Sequence, residues 1–498
     1  MRKSFTIVIT LLIVASSTVA QSLTTESYTK AKAVLDRSVA AYGGTEELKA
    51  IGNVSLKIAG ESVHRNQSRR PGDLDRTEYT AEVLLDLKTL RARQVQQGHY
   101  PGGFNWQNGF VVDANGTRTS FDLIRKTSSP PGQITAANFK ANTRWLPQLI
   151  LWNVLERAQT LRYVGKADYD KRPHEVVDYV ANDAALLTLY IDQQTGLLSK
   201  FETLIMDPLA GDSLLETRFT GQRKVGKYIL PARRLSVLNG DVVNDFGLAE
   251  VAFNIELTPE SFKVPEGLRA ITFPQPTPVT KHADKIYTTN AAGYNVLFVD
   301  FNDYIFVMET PGSDRVSLQA IEQIKKTIPN KPIRYVAVTH HHDDHAGGIR
   351  TYMAEGVTLI VAPGEEAFFK KVSAVRFSAD PDTLTRNPRE PKFEPLQNGK
   401  RVLTDGTTTV ELYDIGKGPH AEEMLVAYFP AQKFIYQGDL LNRPANGDYP
   451  IANDTSSHFL NWIDSKKLAV ELTIPVHGTP TTMAEFRKAV EEMKVKAN

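Results

Sequence analysis

Four of the chain's eleven histidines fall within six consecutive positions, in the run Thr339-His340-His341-His342-Asp343-Asp344-His345-Ala346-Gly347-Gly348. The run follows directly on the apolar segment Ile333–Val338, which reads as a buried strand. Neutral imidazole and carboxylate are the donors that a borderline divalent ion such as Zn²⁺ prefers. A solvated histidine tract with adventitious metal affinity is the alternative, and three downstream segments argue against it.

Each of those segments places a ligand-type residue just past a strand-like run. Thr408–Ile415 ends in Gly416-Lys417-Gly418-Pro419, and His420 follows. Met424–Phe429 and Phe434–Gln437 read as a hairpin leading into Gly438-Asp439-Leu440, and Leu472–Val476 runs into His477-Gly478. Short runs rich in Val, Ile and Tyr and bounded by Gly and Pro are strands rather than helices. Loops at strand ends are where a fold gathers reactive groups from distant sequence.

These residues resemble the metallo-β-lactamase superfamily over roughly residues 280–498. The resemblance implies an α/β four-layer αββα sandwich. It assigns His340, His342 and His420 to one metal and Asp344, His345 and His477 to a second, with Asp439 bridging the two. Glu309, after Tyr304–Met308, stands where the family usually carries Asp, and would orient a metal-bound imidazole from behind. Two divalent cations, Zn²⁺ by this ligand set, lower the pKa of a shared water towards about 7. A metal-bridging hydroxide can then attack a carbonyl or phosphoryl group. Asp439 and Asp344 are the candidate catalytic carboxylates. Asp439 holds the metals and accepts a hydrogen bond from the nucleophile, while Asp344 can carry a proton to the leaving group.

Departures within the family narrow the reaction. Its antibiotic-hydrolysing members replace the bridging aspartate with Cys or Ser, and this chain keeps Asp439. Its di-iron oxygen reductases carry Glu where His342 stands. Its nucleases rely on basic insertions, and no comparable cluster flanks these motifs. The expected activity is hydrolysis of a small-molecule ester, lactone, thioester or phosphoester. A mononuclear iron oxidoreductase on the same fold and a β-lactam hydrolase are the alternatives.

His341 and Asp343 occupy the variable positions of the motif, and His341 is expected to point away from the metals. His458, between the last two ligand motifs, is a candidate substrate contact, as are Tyr449 and Trp462; a surface or core role is the simpler reading for each. His64, His99, His174 and His282 have no ligand-like spacing.

Residues 1–20 carry Arg2-Lys3, the apolar run Phe5–Ala15 and small residues ending in Thr18-Val19-Ala20, the plan of a secretory signal peptide. The expected location is the periplasm or the exterior. The run of Phe5–Ala15 is too short to span a bilayer, and no later segment reaches that length. The absence of cysteine excludes disulfides and fits an exported chain. A formal net charge of +1, close to zero with or without Arg2 and Lys3, gives no basis for a nucleic-acid partner.

Pro265, Pro274, Pro276 and Pro278 mark a linker over 266–279, between a β-rich α+β domain at 22–265 and the ligand-bearing domain at 280–498. Upstream, Glu26–Ala41 is a helix closed by Gly43-Gly44. Arg144–Ala158 is a second, with Trp145, Leu149, Trp152 and Leu155 along one face. Asn239-Gly240-Asp241 and Gln193-Gln194-Thr195-Gly196 mark hairpins. A curved antiparallel sheet with a helix on its concave side is expected, faintly resembling the periplasmic lipoprotein-carrier half-barrel, whose ligand would be apolar. All chemistry is expected beyond the linker.

Overall fold

The computed structural model describes residues 22–272 and 278–497. The signal-peptide segment 1–20 and Pro274 and Pro276 of the expected linker lie outside the described residues.

One 15-stranded sheet organises the N-terminal half. Its centre is the antiparallel pair Asn53–His64 and Asp241–Phe253. Asp75–Asp86, Arg91–Tyr100, Phe104–Val112 and Thr117–Asp122 extend it on one side. Arg233–Leu238, Gly211–Thr220, Leu198–Asp207, Leu186–Asp192, Arg172–Val180 and Arg162–Tyr169 extend it on the other. The turn between Leu238 and Asp241 is Asn239-Gly240, at φ +50° and +95°; two successive positive φ values make the tight turn whose twist matches its strands.

Two helices cover the apolar face of this sheet. Leu23–Ala41 starts at Ser22, whose side chain accepts the Thr25 N–H, and buries Ala31, Val34, Leu35 and Val39 at helical spacing. The second helix is Pro147–Glu156, shorter than the expected Arg144–Ala158 because Pro147 takes the first helical position and leaves Trp145 outside. Leu149, Ile150, Leu151 and Val154 are fully buried in the same cluster, with Trp145 and Trp152 packed half-buried at its rim. The space left among Val83, Leu85, Phe110, Ile134 and Phe139 is about 20 Å³. That admits one water and no acyl chain, so this part of the core is filled.

Within the expected linker, Arg269–Ala270 pairs with Thr127–Ser128, and Arg269 forms an ion pair with Asp448 at 2.5 Å. The C-terminal half holds two further sheets. The first, of seven strands, runs Val279–Ala283, Ile286–Ala291, Tyr294–Asp300, Ile305–Met308, Ile333–Ala337, Thr358–Val361 and Lys392–Pro395. The second, of six, runs Lys400–Thr404, Thr409–Asp414, Leu425–Phe429, Phe434–Gln437, Leu472–Pro475 and Thr481–Thr482.

Central strands of both sheets are buried on two faces, and side chains alternate between clusters. Ile305 and Val307 pack with the helices Asp314–Thr327 and Ile349–Ala354. Phe306 and Met308 share a second cluster with Leu412, Ala427, Phe429, Tyr436 and Ile474 of the other sheet. Val426, Tyr428 and Ile435 face a third, with Phe459 and Trp462 of Asp454–Lys466 and Phe486 of Met483–Ala497. Full burial of a side chain such as Phe429 contributes about 1.5–3 kcal/mol, so these clusters fix where the strand ends lie.

Candidate metal centre

Ile333–Ala337 runs parallel to Ile305–Met308, and the Glu309 N–H donates to Ala337 O at 2.9 Å. Leu425 N–H donates to Thr339 O at 2.7 Å, tying the histidine loop to the second sheet. Gln437 is fully buried and accepts the Leu440 N–H while donating to Leu441 O, which clamps the loop carrying Asp439. A Cβ on Gly438 would lie 2.6 Å from Thr339 Oγ1, so only glycine lets this loop approach the histidines. Asn295 Nδ2 donates to Pro475 O and Gly478 O and braces the turn around His477.

The seven expected ligand residues converge in two groups: His340, His342 and His420, and Asp344, His345, Asp439 and His477. Within each group the ligand atoms lie within 4.8 Å of one another. His340 Nε2 is 3.0 Å from His342 Nδ1 and 3.1 Å from His420 Nε2. In the other group His345 Nε2 is 3.2 Å from Asp439 Oδ2 and 3.3 Å from His477 Nε2. Asp344 Oδ2 is 3.4 Å from both His345 Nε2 and His477 Nε2. Asp439 touches both groups, since its Oδ2 also lies 3.5 Å from His420 Nε2.

Charge divides between the groups. Burial and the neighbouring histidines hold His340 and His342 well below the ordinary histidine range, so both are neutral with lone pairs available. Burial opposes charge on Asp439, but His345 and His477 outweigh it and keep the carboxyl well below its usual range. Asp344 is lowered too, against burial, chiefly by His345. Burial also opposes charge on His345, and Asp344, Asp439 and Glu309 more than offset it.

The donor set fits two divalent cations. Three imidazole nitrogens aimed at one point leave their lone pairs facing each other, which a shared cation relieves. Tetrahedral ligation at about 2.0–2.1 Å needs donor atoms about 3.3 Å apart, close to the spacings observed. Two aspartates then balance half of the charge of two divalent cations, and the imidazoles contribute lone pairs.

Glu309 is fully buried behind this centre. Its Oε1 accepts the Thr339 N–H at 2.7 Å and its Oε2 lies 2.7 Å from His345 Nδ1. It sits at φ +97°, a conformation that non-glycine residues hold only where surrounding bonds over-determine it. His341 points away from both groups. It is buried, with Nε2 2.9 Å from Ser68 O and Nδ1 3.3 Å from Glu365. His458 packs against Gly418 beneath the His420 loop, not among the ligands. Trp462 is core, and Tyr449 donates its hydroxyl to Glu485 O. His174 is buried and bonded to Ser199, His282 to Thr288, and His64 to Thr77.

Several groups around the centre had no sequence signal. Asn442 Nδ2 donates to Asp439 Oδ1 at 3.0 Å. The Tyr294 ring lies 4.8 Å from that of His477, and burial with Asp344 nearby pushes its hydroxyl up to about 12. All seven ligand residues lie beyond the expected linker, and the N-terminal half also reaches the site, touching the ligand residues themselves. Phe104 packs edge-on against His420 at 4.9 Å, and a Cβ on Gly102 would meet His420 Cα at 2.7 Å. Gln67 and Ser68 touch the histidine loop itself. Polar loop residues of this kind carry no periodicity or motif to mark them.

Residues 306–479 match the family model of the metallo-beta-lactamase superfamily. A metallo-beta-lactamase type 2 from Bacillus cereus is 23% identical over 198 residues, covering 39% of this chain and 70% of the relative. One from Elizabethkingia meningoseptica is 25% identical over 187 residues, covering 35% and 67%. Similar solved structures include a metallo-beta-lactamase from Pontibacter korlensis, at 19% identity and TM-score 0.32, covering 43% of this chain and 98% of that one. The metallo-beta-lactamase FIM-1 from Pseudomonas aeruginosa, in a mono-zinc form, is 21% identical with TM-score 0.33, covering 45% and 99%. With the histidine loop, Asp439 and His477 all inside the matched span, the C-terminal half of this chain carries a metallo-β-lactamase superfamily domain.

Proposed function

We propose that the chain is an exported, binuclear metal-dependent hydrolase acting on a small ester, lactone, thioester or phosphoester, with its catalytic half folded as an αββα sandwich. The observation that carries this reading is the contact of Asp439 with both ligand groups. His340, His342 and His420 would hold one cation, Asp344, His345 and His477 the other, and Asp439 both. The cations, Zn²⁺ by donor type, supply Lewis acidity and a water acidic enough to ionise near neutral pH.

The chain's own groups set the rest. Asp439 and Asp344 are both anionic at neutral pH, so each can accept a hydrogen bond from an attacking water. Asp344 is the more exposed, and it would take up the proton that the attacking water gives up and pass it to a leaving group. Tyr294 keeps its proton and can donate to a substrate oxygen beside His477. Phe104 gives the approach to His420 an apolar wall, which favours a substrate with an apolar portion.

A β-lactam substrate is the second reading, favoured by the names of the relatives above and disfavoured by Asp439 in place of Cys or Ser at the bridging position. Steady-state turnover of lactones, thioesters, phosphodiesters and β-lactams by Zn²⁺-loaded full-length protein tests both. Turnover confined to the β-lactams would replace the first reading with the second.

A further inference from the structure

The turn between Asn53–His64 and Asp75–Asp86 lays three successive features on the ligand loops. Asn66 O accepts the Asp343 N–H, Ser68 O faces His341 Nε2 and His342 Nε2, and Arg69 O accepts the Glu422 N–H. Between them, the Gln67 amide donates to Asp343 Oδ1 at 2.5 Å and Asp344 Oδ1 at 2.9 Å. The turn is itself pinned, because Ser68 Oγ donates to His64 O and accepts the Asp75 N–H, and Asn66 Nδ2 donates to Asp207.

We infer that Gln67 is a positioning residue for the second ligand group, so that a domain outside the family's span forms part of the metal centre. This rests on the two-cation reading above. Asp344 has two oxygens with separate tasks: Oδ1 takes the Gln67 amide, which leaves Oδ2 turned towards His345 and His477. The same amide bridges two adjacent carboxylates whose repulsion would otherwise swing Asp344 towards solvent. Asp344 is partly exposed and is the second residue of a helix of only four, Asp343–Ala346, with no side-chain cap to fix its carboxylate. The first group receives a different support. Ser68 O at 3.0 Å takes the Nε2 proton of His342, which fixes the tautomer that leaves Nδ1 facing His340 and His420. The carbonyl does this whatever side chain stands at position 67.

Full-length Gln67→Met keeps the volume and removes both donated bonds. Zn²⁺ affinities measured by competition with a chromophoric chelator, and Co²⁺ absorption spectra, should show second-site binding weakened by about 10–100-fold. First-site affinity should stay within about twofold of wild type. Gln67→Asn, one methylene shorter, should weaken the same site. Circular dichroism and unfolding of the metal-free proteins separate this from a general loss of structure, which would weaken both sites together. Two unchanged affinities, or equal losses at both sites, would overturn the inference while wild-type binding of two ions leaves the two-cation reading intact. Wild type binding fewer than two would overturn both.

Discussion

Glu309 Oε2 lies 2.7 Å from His345 Nδ1, with both side chains shut off from solvent. The contact sets which nitrogen of His345 is free to bind, because a carboxylate acceptor keeps the proton on Nδ1 and leaves Nε2 for the second group. Glu309→Gln tests it. With Oε1 still accepting from Thr339, the new amide would aim an N–H at Nδ1 and drive the imidazole proton to Nε2. Second-site Zn²⁺ affinity should fall about 10–100-fold with little change in fold, as read by chelator competition and circular dichroism. Unchanged affinity would mean that Glu309 is only a structural anchor for the Thr339 turn.

Asp439 and His341 make an opposed pair. Asp439→Ala should abolish turnover of any substrate found, because it removes the carboxylate that faces both ligand groups. His341→Ala leaves kcat within a few-fold but should cost about 1–3 kcal/mol of stability, since it strips partners from Ser68 O and Glu365 in a buried site. Equal losses of activity at both positions would show that the motif register is wrong.

The hairpin turn over His420 offers a controlled comparison. Gly102 and Gly103 sit at φ +90° and +85°, yet only at Gly102 would a Cβ meet backbone, at 2.7 Å from His420 Cα. Gly102→Ala and Gly103→Ala share the conformational strain, about 1–3 kcal/mol by unfolding measurements. Gly102→Ala alone should also displace the His420 loop and lower kcat/KM. Identical kinetics in the two variants would mean that the N-terminal hairpin does not press on the site.

His282 predicts a pH dependence of stability apart from the metal centre. Burial lowers its pKa to about 4, from an ordinary 6.5 that the unfolded chain regains. The unfolded state therefore binds the extra proton between these values. Stability from keeping His282 neutral is complete above pH 6.5 and is lost as pH falls towards 4, by up to about 3 kcal/mol. Urea unfolding of metal-free wild type and His282→Gln at pH 7 and 4.5 should show the smaller acid loss in the variant. Parallel losses would assign the acid sensitivity elsewhere.

The ligand residues could be read from sequence because each stands at the end of a short apolar strand, and strand ends in a packed sheet converge. The β-rich character of the N-terminal half was legible in the turn signals Asn239-Gly240-Asp241 and Gln193-Gln194-Thr195-Gly196. Its breadth was not. Arg91–Tyr100 has the polar sequence RARQVQQGHY and no buried face, and its strand state comes from backbone pairing with both neighbours. Gln67 and Phe104 were hidden for a related reason, since their importance comes only from contacts with residues more than 270 positions away.

Metal content tests the central claim most directly. Full-length protein purified without chelators should contain close to two divalent ions per chain, predominantly zinc, by elemental analysis, and Asp439→Ala should retain fewer. One iron per chain in repeated preparations would contradict the account in favour of a mononuclear oxidoreductase. No bound metal after incubation with excess Zn²⁺ would contradict it outright.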